Sequence, residues 1–417
     1  MRILFLTQII PYPPNSGPKV KTWHVLRYLA SKGHQVILAS FTRPEEEGYI
    51  SSLREVCADV YPIPIRRSRI ADMGYWFRSQ FTGRPFLVER DDLQAMRTCI
   101  YEILSTTHID CIHADQLTMT QFAFLDLPVN YPLIRVFDAH NAVWTIVERM
   151  VKNVPWYVKP IVKMEARRVK HYEGGIVQSF DHTLAVTETD RQYLGEAREL
   201  FNNRKKIPRA NIKRTKSQDS ITVTPIAVDT ELLQPVSRKP HSKNLFTMGT
   251  LHYPPNADGI RWFAQEVFPI IRREEPEATL TIAGKNPPTD FERFMQESAG
   301  AIKVTGYLPD LRPHLENAAV MVVPLRAGSG MRVRILEAFA QAMPVVTTTV
   351  GLEGIDAIPG EEVLVADTPQ EFAASVVSLL RDESLQARLA KNGRRLAECC
   401  YDWKITLQKM DSVYGTG

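Results

Sequence analysis

The sequence predicts an α/β protein made of two doubly wound, Rossmann-like parallel-sheet domains, and three observations carry that reading. At 417 residues the chain exceeds the length over which one hydrophobic core keeps growing, so two domains of roughly 200 residues each are expected. Short apolar runs alternate with segments of helical period, which is the pattern of β-α-β units. After PIAVDTELLQPVSRKPHSK, a stretch rich in proline and polar residues, the pattern starts again.

RILFLTQII is almost continuously apolar, as a parallel strand covered on both faces must be. Val20, Trp23, Leu26, Leu29 and Ala30 then recur at helical spacing, Gly33-His34 stops the helix, and QVILASF supplies the second strand. DCIHADQ, LIRVFD and HTLAVT add strands to the first domain. In the second, NLFTMGT leads into a helix from about Asn256 to Ile271, with Asn256 most simply its N-cap and, as the lesser reading, a ligand contact. ATLTIAG, AIKVTGY, VMVVPL, the strand end of GSGMRVRILEAFAQAMPVVTT, and VLVA follow. YDWKITLQKMDSVY reads as a short terminal helix. The expected domains are 1–228 and 229–400, with 401–417 packing back on the first. Two such sheets imply a cleft, with function at the carboxyl ends of the strands.

Composition narrows the function. With 44% hydrophobic and 24% charged residues the chain matches average globular usage, and it lacks the run of roughly 20 apolar residues that a membrane span needs. MRILFLTQIIPYPP has no small-residue cleavage site and reads as a strand, not a signal peptide. Cys57, Cys99, Cys111, Cys399 and Cys400 show no zinc-ligand spacing and read as reduced core thiols, so a cytoplasmic location is expected. A net charge of +4 is too small to argue for nucleic acid.

Residues 328 to 348, GSGMRVRILEAFAQAMPVVTT, hold the chemistry. VMVVPL is a buried strand and RILEAFAQA a helix, so Arg326 to Met331 form the turn at a strand's carboxyl end, where ligands sit. Gly328 and Gly330 let backbone amides approach an anion, the helix N-terminus adds unpaired N–H groups, and Arg332 in its first turn adds a forked cation. Ile335, Ala338, Phe339 and Ala342 share a buried face, which leaves Arg334, Glu337 and Gln341 on the polar side and Glu337 open to a diol. Read singly, the glycines make a tight turn and Arg334 with Glu337 a surface pair. Together they favour a phosphorylated diol such as a nucleotide sugar.

The same stretch, continued as TVGLEGI, resembles the donor-site signature of the GT-B glycosyltransferases of family 4, in the branch with a G-x-G-x-R-x-K/R-x-x-E loop. The likeness extends to PPNSGPKVKTWHVLRYLASKGHQV, DAHN, GTLHYPPNADGIRWF and GYLPDLRP, and so covers nearly the whole chain. It implies that Gly328, Ser329, Gly330, Met331 and Arg332 cradle the diphosphate, helped by Arg334, and that Glu337 holds the ribose. It further implies that Tyr307 and Leu308, after Gly306, contact the base, that Gly17 lies beneath the sugar and phosphates, and that His140 hydrogen-bonds the transferred sugar. Ser329 stands where the family usually has the first of two glutamates, and the basic pair often found at the first loop of the second domain is missing from GTLHYPPNADG. The implied reaction is retaining transfer from a nucleoside diphosphate sugar, UDP- or GDP-linked, to an acceptor hydroxyl of a glycan or lipid-linked intermediate in cell-envelope or extracellular polysaccharide synthesis. A non-hydrolysing sugar-nucleotide epimerase of the same fold and a catalytically silent sugar-nucleotide binding or scaffold protein are the alternatives.

Asp138, His140 and Asn141 follow LIRVFD at a strand's carboxyl edge. His140 reads as a substrate contact and Asp138 as the residue that orients its loop; Asp115 in HADQ lies at a comparable edge or caps a helix. A GxGxxG fingerprint is absent after the first strand, which disfavours a dehydrogenase. Nor does a DxD-like doublet stand where it could hold a metal on the diphosphate, so transfer without metal or other cofactor is expected. Arg66, Arg67, Arg69, Arg78 and Arg84 interleave with Tyr75, Trp76, Phe77 and Phe81, and Arg204 to Lys216 is basic without an acid. These regions suggest docking on the anionic inner face of the cytoplasmic membrane, with a solvated loop and a partly buried helix as the plainer reading.

Overall fold

The computed structural model describes residues 1–125, 132–204, 221–328 and 330–415. The described residues form two compact units, Met1–Pro225 with Leu407–Gly417, and Ile226–Thr406. The first holds β1 (Arg2–Thr7), β2 (Gln35–Thr42), β3 (Asp59–Pro64), β4 (Cys111–Asp115), β5 (Ile134–Ala139), β6 (His182–Ala185) and β7 (Ile221–Val223). Every pairing is parallel, in the order β3-β2-β1-β4-β5-β6-β7. The second holds β8 (Asn244–Met248), β9 (Thr279–Ala283), β10 (Ile302–Gly306), β11 (Val320–Val323), β12 (Val345–Thr347) and β13 (Leu364–Val365). These are also parallel, in the order β10-β9-β8-β11-β12-β13. Two α/β sheets flanked by helices therefore match the predicted fold class.

Each apolar run becomes a central strand because both of its faces are covered: Ile3 to Leu6 of β1 and Val320 to Val323 of β11 are fully buried. The sequence reading passed over β3 and β7, which lie at the sheet's edges. DVYPIP carries two prolines and exposes four of its six residues, and β7 is three residues long, so neither has the apolar run of a covered strand.

The helix expected over 256–271 runs Pro254–Trp262, continues through a π turn at Phe263–Val267, and ends with Phe268–Glu274. The tail is broken: a helix Trp403–Thr406 stays with the second unit, while Leu407–Met410 and Asp411–Tyr414 join the first. There Met410 and Tyr414 are buried, and Asp411 accepts from Tyr28 Oη at 2.7 Å and Lys32 Nζ at 2.8 Å. Cys57 and Cys111 are core thiols, but Cys399 and Cys400 are exposed, because the π turn Ala397–Tyr401 rotates them off the buried face. No helix among the described residues is long and apolar enough to cross a membrane.

Candidate functional site

In the second sheet the strand order reverses between β8 and β11, so the loops at their carboxyl ends flank the switch point where open α/β sheets bind ligands. Backbone lines this edge. The Gly284 N–H donates to the Gly306 carbonyl at 2.7 Å, and a Cβ on Gly284 would lie 1.9 Å from the Gly249 carbonyl oxygen, so these loops meet with no room for side chains. Gly306 (φ 70°), Gly328 (φ 135°) and Gly330 (φ 80°) adopt left-handed backbone that glycine alone takes at little cost. A Cβ on Gly259 would meet the Pro324 carbonyl oxygen at 2.1 Å, so that helix presses directly on the loop after β11.

Arg332 is the N-cap of the helix Val333–Ala340, not a residue of its first turn. Arg334 departs from the wheel expectation. Its Nη1 donates to the Met248 carbonyl at 2.6 Å and its Nη2 to Asn256 Oδ1 at 2.5 Å, so it leaves Glu337 and reaches across to the loop after β8. Gly249 makes this passage open, since a Cβ there would lie 2.6 Å from Arg334 Nη1. Asn256 is not the N-cap; Tyr253 is, because Pro254 and Pro255 open the helix. The Asn256 amide instead donates to the Thr250 carbonyl at 3.1 Å and steadies Arg334. Arg326 is held by Asp258 at 2.9 Å, and Lys285, a cation the sequence reading missed, lies 4.3 Å over the ring of exposed Tyr307, next to partly exposed Leu308.

Glu337 is half-buried instead of lying on an open polar face, and its carboxyl has no hydrogen bond or ion pair among the described residues. Burial pushes its pKa up to about 7 against the opposing charge of Arg334. Burial, and then neighbouring Arg332, push Arg334 down to about 10. Met331 is buried. Ser329 lies outside the described residues.

In the first unit the switch point falls between β1 and β4. Asp115 and Asp138 are register partners on β4 and β5, and both are fully buried. Two carboxylates side by side in the interior require compensation. Buried Lys21 forms an ion pair with Asp138, while Asp115 accepts from Thr7 Oγ1 at 2.9 Å and Thr22 Oγ1 at 3.0 Å and lies 2.7 Å from His140 Nε2. Burial opposes ionisation of Asp138, but the charge of Lys21 and the ring of His113, 3.6 Å away, hold its pKa well below the usual carboxylate range. Asp138 is thus not at the rim, and Asp115 caps no helix. His113 Nδ1 pairs with the Tyr414 hydroxyl. Gly17 begins the helix Gly17–Ser31 that carries Lys21 and Thr22.

The loop that carries His140 and partly exposed Asn141 is tied down from behind. The Ala142 N–H donates to Asp190 at 3.0 Å, and those of Val143 and Trp144 donate to Glu173 at 3.0 and 3.2 Å. Burial pushes the Glu173 carboxyl up to about 8 despite those two donors. Ligand atoms of His113, Asp115 and Asp138 lie within 4.8 Å of one another. Lys21 holds one oxygen of Asp138 and three donors engage Asp115, while Asp138 Oδ2 and His113 Nε2 have no hydrogen-bond partner among the described residues. Lys21, His113, Glu173 and Tyr414 were missed; the one available signal was a lysine within the apolar face of the first helix.

Three of the five arginines read as a membrane patch are engaged within the unit: Arg67 with Asp91 at 2.5 Å, Arg78 with Glu89 at 3.0 Å and Arg84 with Asp92 at 2.9 Å. DDLQ and VERD supply acids that sequence order separates from the cations. The basic stretch at 205–216 lies outside the described residues.

Residues 242–382 match the family model "Glycosyl transferases group 1". An uncharacterized 44.6 kDa protein in the cps region of Klebsiella pneumoniae is 22% identical over 97% of both chains. Sucrose-phosphate synthase from Thermosynechococcus elongatus shares the fold at a TM-score of 0.69 and 16% identity, covering 100% of this chain and 99% of its own. Anabaena HepE, solved with UDP-glucose, does so at a TM-score of 0.64 and 13% identity over 100% of both chains.

Proposed function

For a chain that is a group 1 glycosyltransferase of GT-B fold, we propose that the donor is a nucleoside diphosphate sugar, a UDP-sugar before a GDP-sugar. The acceptor is a hydroxyl of a glycan or lipid-linked intermediate, and transfer retains anomeric configuration without a metal. The single observation that carries the donor assignment is the loop and helix that follow β11, which bring in sequence left-handed Gly328 and Gly330, Arg332 at the helix N-cap, and half-buried Glu337, whose carboxyl has no partner among the described residues. The backbone amides of Gly328 and Gly330 and the Arg332 guanidinium stabilise the leaving diphosphate as charge develops, and Arg334, fixed by Met248 and Asn256, adds a preorganised cation. Glu337 accepts from the ribose diol, and Tyr307 and Leu308 flank the base. In the first unit His140, oriented by Asp115, serves the transferred sugar. A role in cell-envelope or extracellular polysaccharide synthesis is supported by full-length likeness to a protein of a cps region, and a UDP-sugar by the UDP-glucose complex of HepE.

The test is calorimetric titration of UDP, GDP, ADP and TDP into wild type and Arg332→Ala, first without metal and then with Mg²⁺. The expected result is metal-free UDP binding that Arg332→Ala weakens by about tenfold or more, the contribution of one charge-assisted hydrogen bond. Failure of all four to bind overturns the donor assignment.

A further inference from the structure

The helix Lys159–Ser179 carries Lys159, Lys163 and Arg167 at successive i,i+4 positions, hence on one face. Like charges at that spacing repel and weaken a helix. Neutralising acids would be expected, yet none of the three cations has an ion pair among the described residues. The nearest carboxylate on the helix, Glu165, is occupied: it accepts the Phe86 N–H at 2.6 Å and lies 3.9 Å from Arg168. All three cations line one open cavity of about 770 Å³ in the first unit, together with Arg84, Trp156 and Tyr172. Arg84 is paired with Asp92, and Arg168, which also lines the cavity, lies 3.9 Å from Glu165, so the lining keeps three cations without an ion pair among the described residues and no carboxylate.

A second observation identifies what accompanies the anion. The helix Arg69–Thr82 ends at Thr82-Gly83, which is part of the cavity wall. Along it Ile70, Met73, Phe77 and Phe81 recur at spacings of three and four, and their exposures are 79%, 58%, 53% and 89%. Trp156, at the cavity itself, is 81% exposed. A soluble phosphate ester would use the cations and leave this apolar face wet. A lipid phosphate in a bilayer would use both, with its head on the cations and its chains beside the apolar ridge.

We propose that this cavity binds the phosphate of a membrane lipid, with Lys159, Lys163 and Arg167 as the headgroup ligands and the ridge from Ile70 to Phe81 lying in the acyl-chain boundary. The assignment deepens the lipid-linked acceptor reading but moves its charge from the arginines around residues 66–84 to a helix that sequence reading did not single out.

The experiment is flotation of the full chain with phosphatidylcholine vesicles, with and without phosphatidylglycerol, no nucleotide sugar being present. Trp156 emission, isolated by difference from Trp156→Phe, is followed in parallel. Binding to the anionic vesicles with a blue shift of Trp156 is expected. Lys163→Gln/Arg167→Gln should weaken it about thirtyfold, the contribution of two near-surface cations, and Phe77→Ser/Phe81→Ser should weaken it independently. All four side chains are solvent-exposed, so the variants retain their fold by circular dichroism. Wild-type binding by the charge variant, or equal binding to pure phosphatidylcholine, overturns the proposal. So does saturation by inorganic pyrophosphate without vesicle binding, which would make the cavity a site for soluble phosphates. Arg332→Ala should float like wild type, so loss of the donor reading and loss of this one are distinguishable.

Discussion

His140 Nε2 lies 2.7 Å from Asp115 Oδ1, and Asp115 is fully buried with its other oxygen on Thr7 and Thr22. The pair fixes one edge of the imidazole. His140→Ala and Asp115→Asn should both lower turnover by about 10- to 100-fold, the worth of one charge-assisted hydrogen bond. Nucleoside diphosphate affinity should stay at the wild-type value. Steady-state kinetics alongside calorimetry separates the two, and equal loss of affinity would place the pair in donor binding.

Lys21 neutralises a carboxylate that has no route to solvent. Lys21→Met should destabilise the first unit by about 3 to 5 kcal/mol, because Asp138 is left as an uncompensated buried charge. Adding Asp138→Asn should recover much of that loss. Denaturant unfolding followed by Trp144 and Trp23 fluorescence reads both, and an additive double variant would show that the two side chains do not compensate each other.

The pKa of Glu337 is raised from 4.5 to about 7. A folded-state pKa above the unfolded value contributes stability that is complete below pH 4.5 and is lost as pH rises through 7. Glu337→Gln should therefore stabilise the protein relative to wild type at pH 8 but not at pH 4.5, by about 1 to 2 kcal/mol after allowance for its partial exposure. A ribose diol donates to the ionised form, so nucleotide affinity should climb as pH rises through 7 and then level off. Affinity independent of pH between 5.5 and 8 would remove Glu337 from the ribose.

Gly249 leaves the path along which Arg334 reaches the Met248 carbonyl. Gly249→Ala should weaken nucleoside diphosphate binding about tenfold by displacing that guanidinium, and should have little further effect on an Arg334→Ala background. Additive losses would mean that the methyl acts on something other than Arg334.

Central strands were legible in the sequence because a covered parallel strand must be apolar along its length, as ILFL and VMVV are. The glycine loop after β11 was legible because turn chemistry is local. Arg334 was misplaced because helical periodicity gives the direction a side chain leaves its helix but not its reach: a long guanidinium on a half-polar face can cross to another loop when a glycine opens the way. The pairing of Lys21 with Asp138 joins residues 117 apart, and no local pattern reports such a partner. Glu173 went unread for the same reason, since it stands thirty residues from the loop N–H groups it accepts.

Tyr414 closes on His113 from a segment that leaves the ribosome roughly 180 residues after the rest of its own unit. At roughly 5 to 20 residues per second, the first unit waits on the order of 10 to 40 s with that wall of its core open. The second unit is continuous in sequence and meets no such delay. Synthesis order and completion order are thus reversed in this chain: the unit made first is finished last, and a nascent protein stalled before residue 407 has a complete second unit while the first still lacks the segment that covers His113.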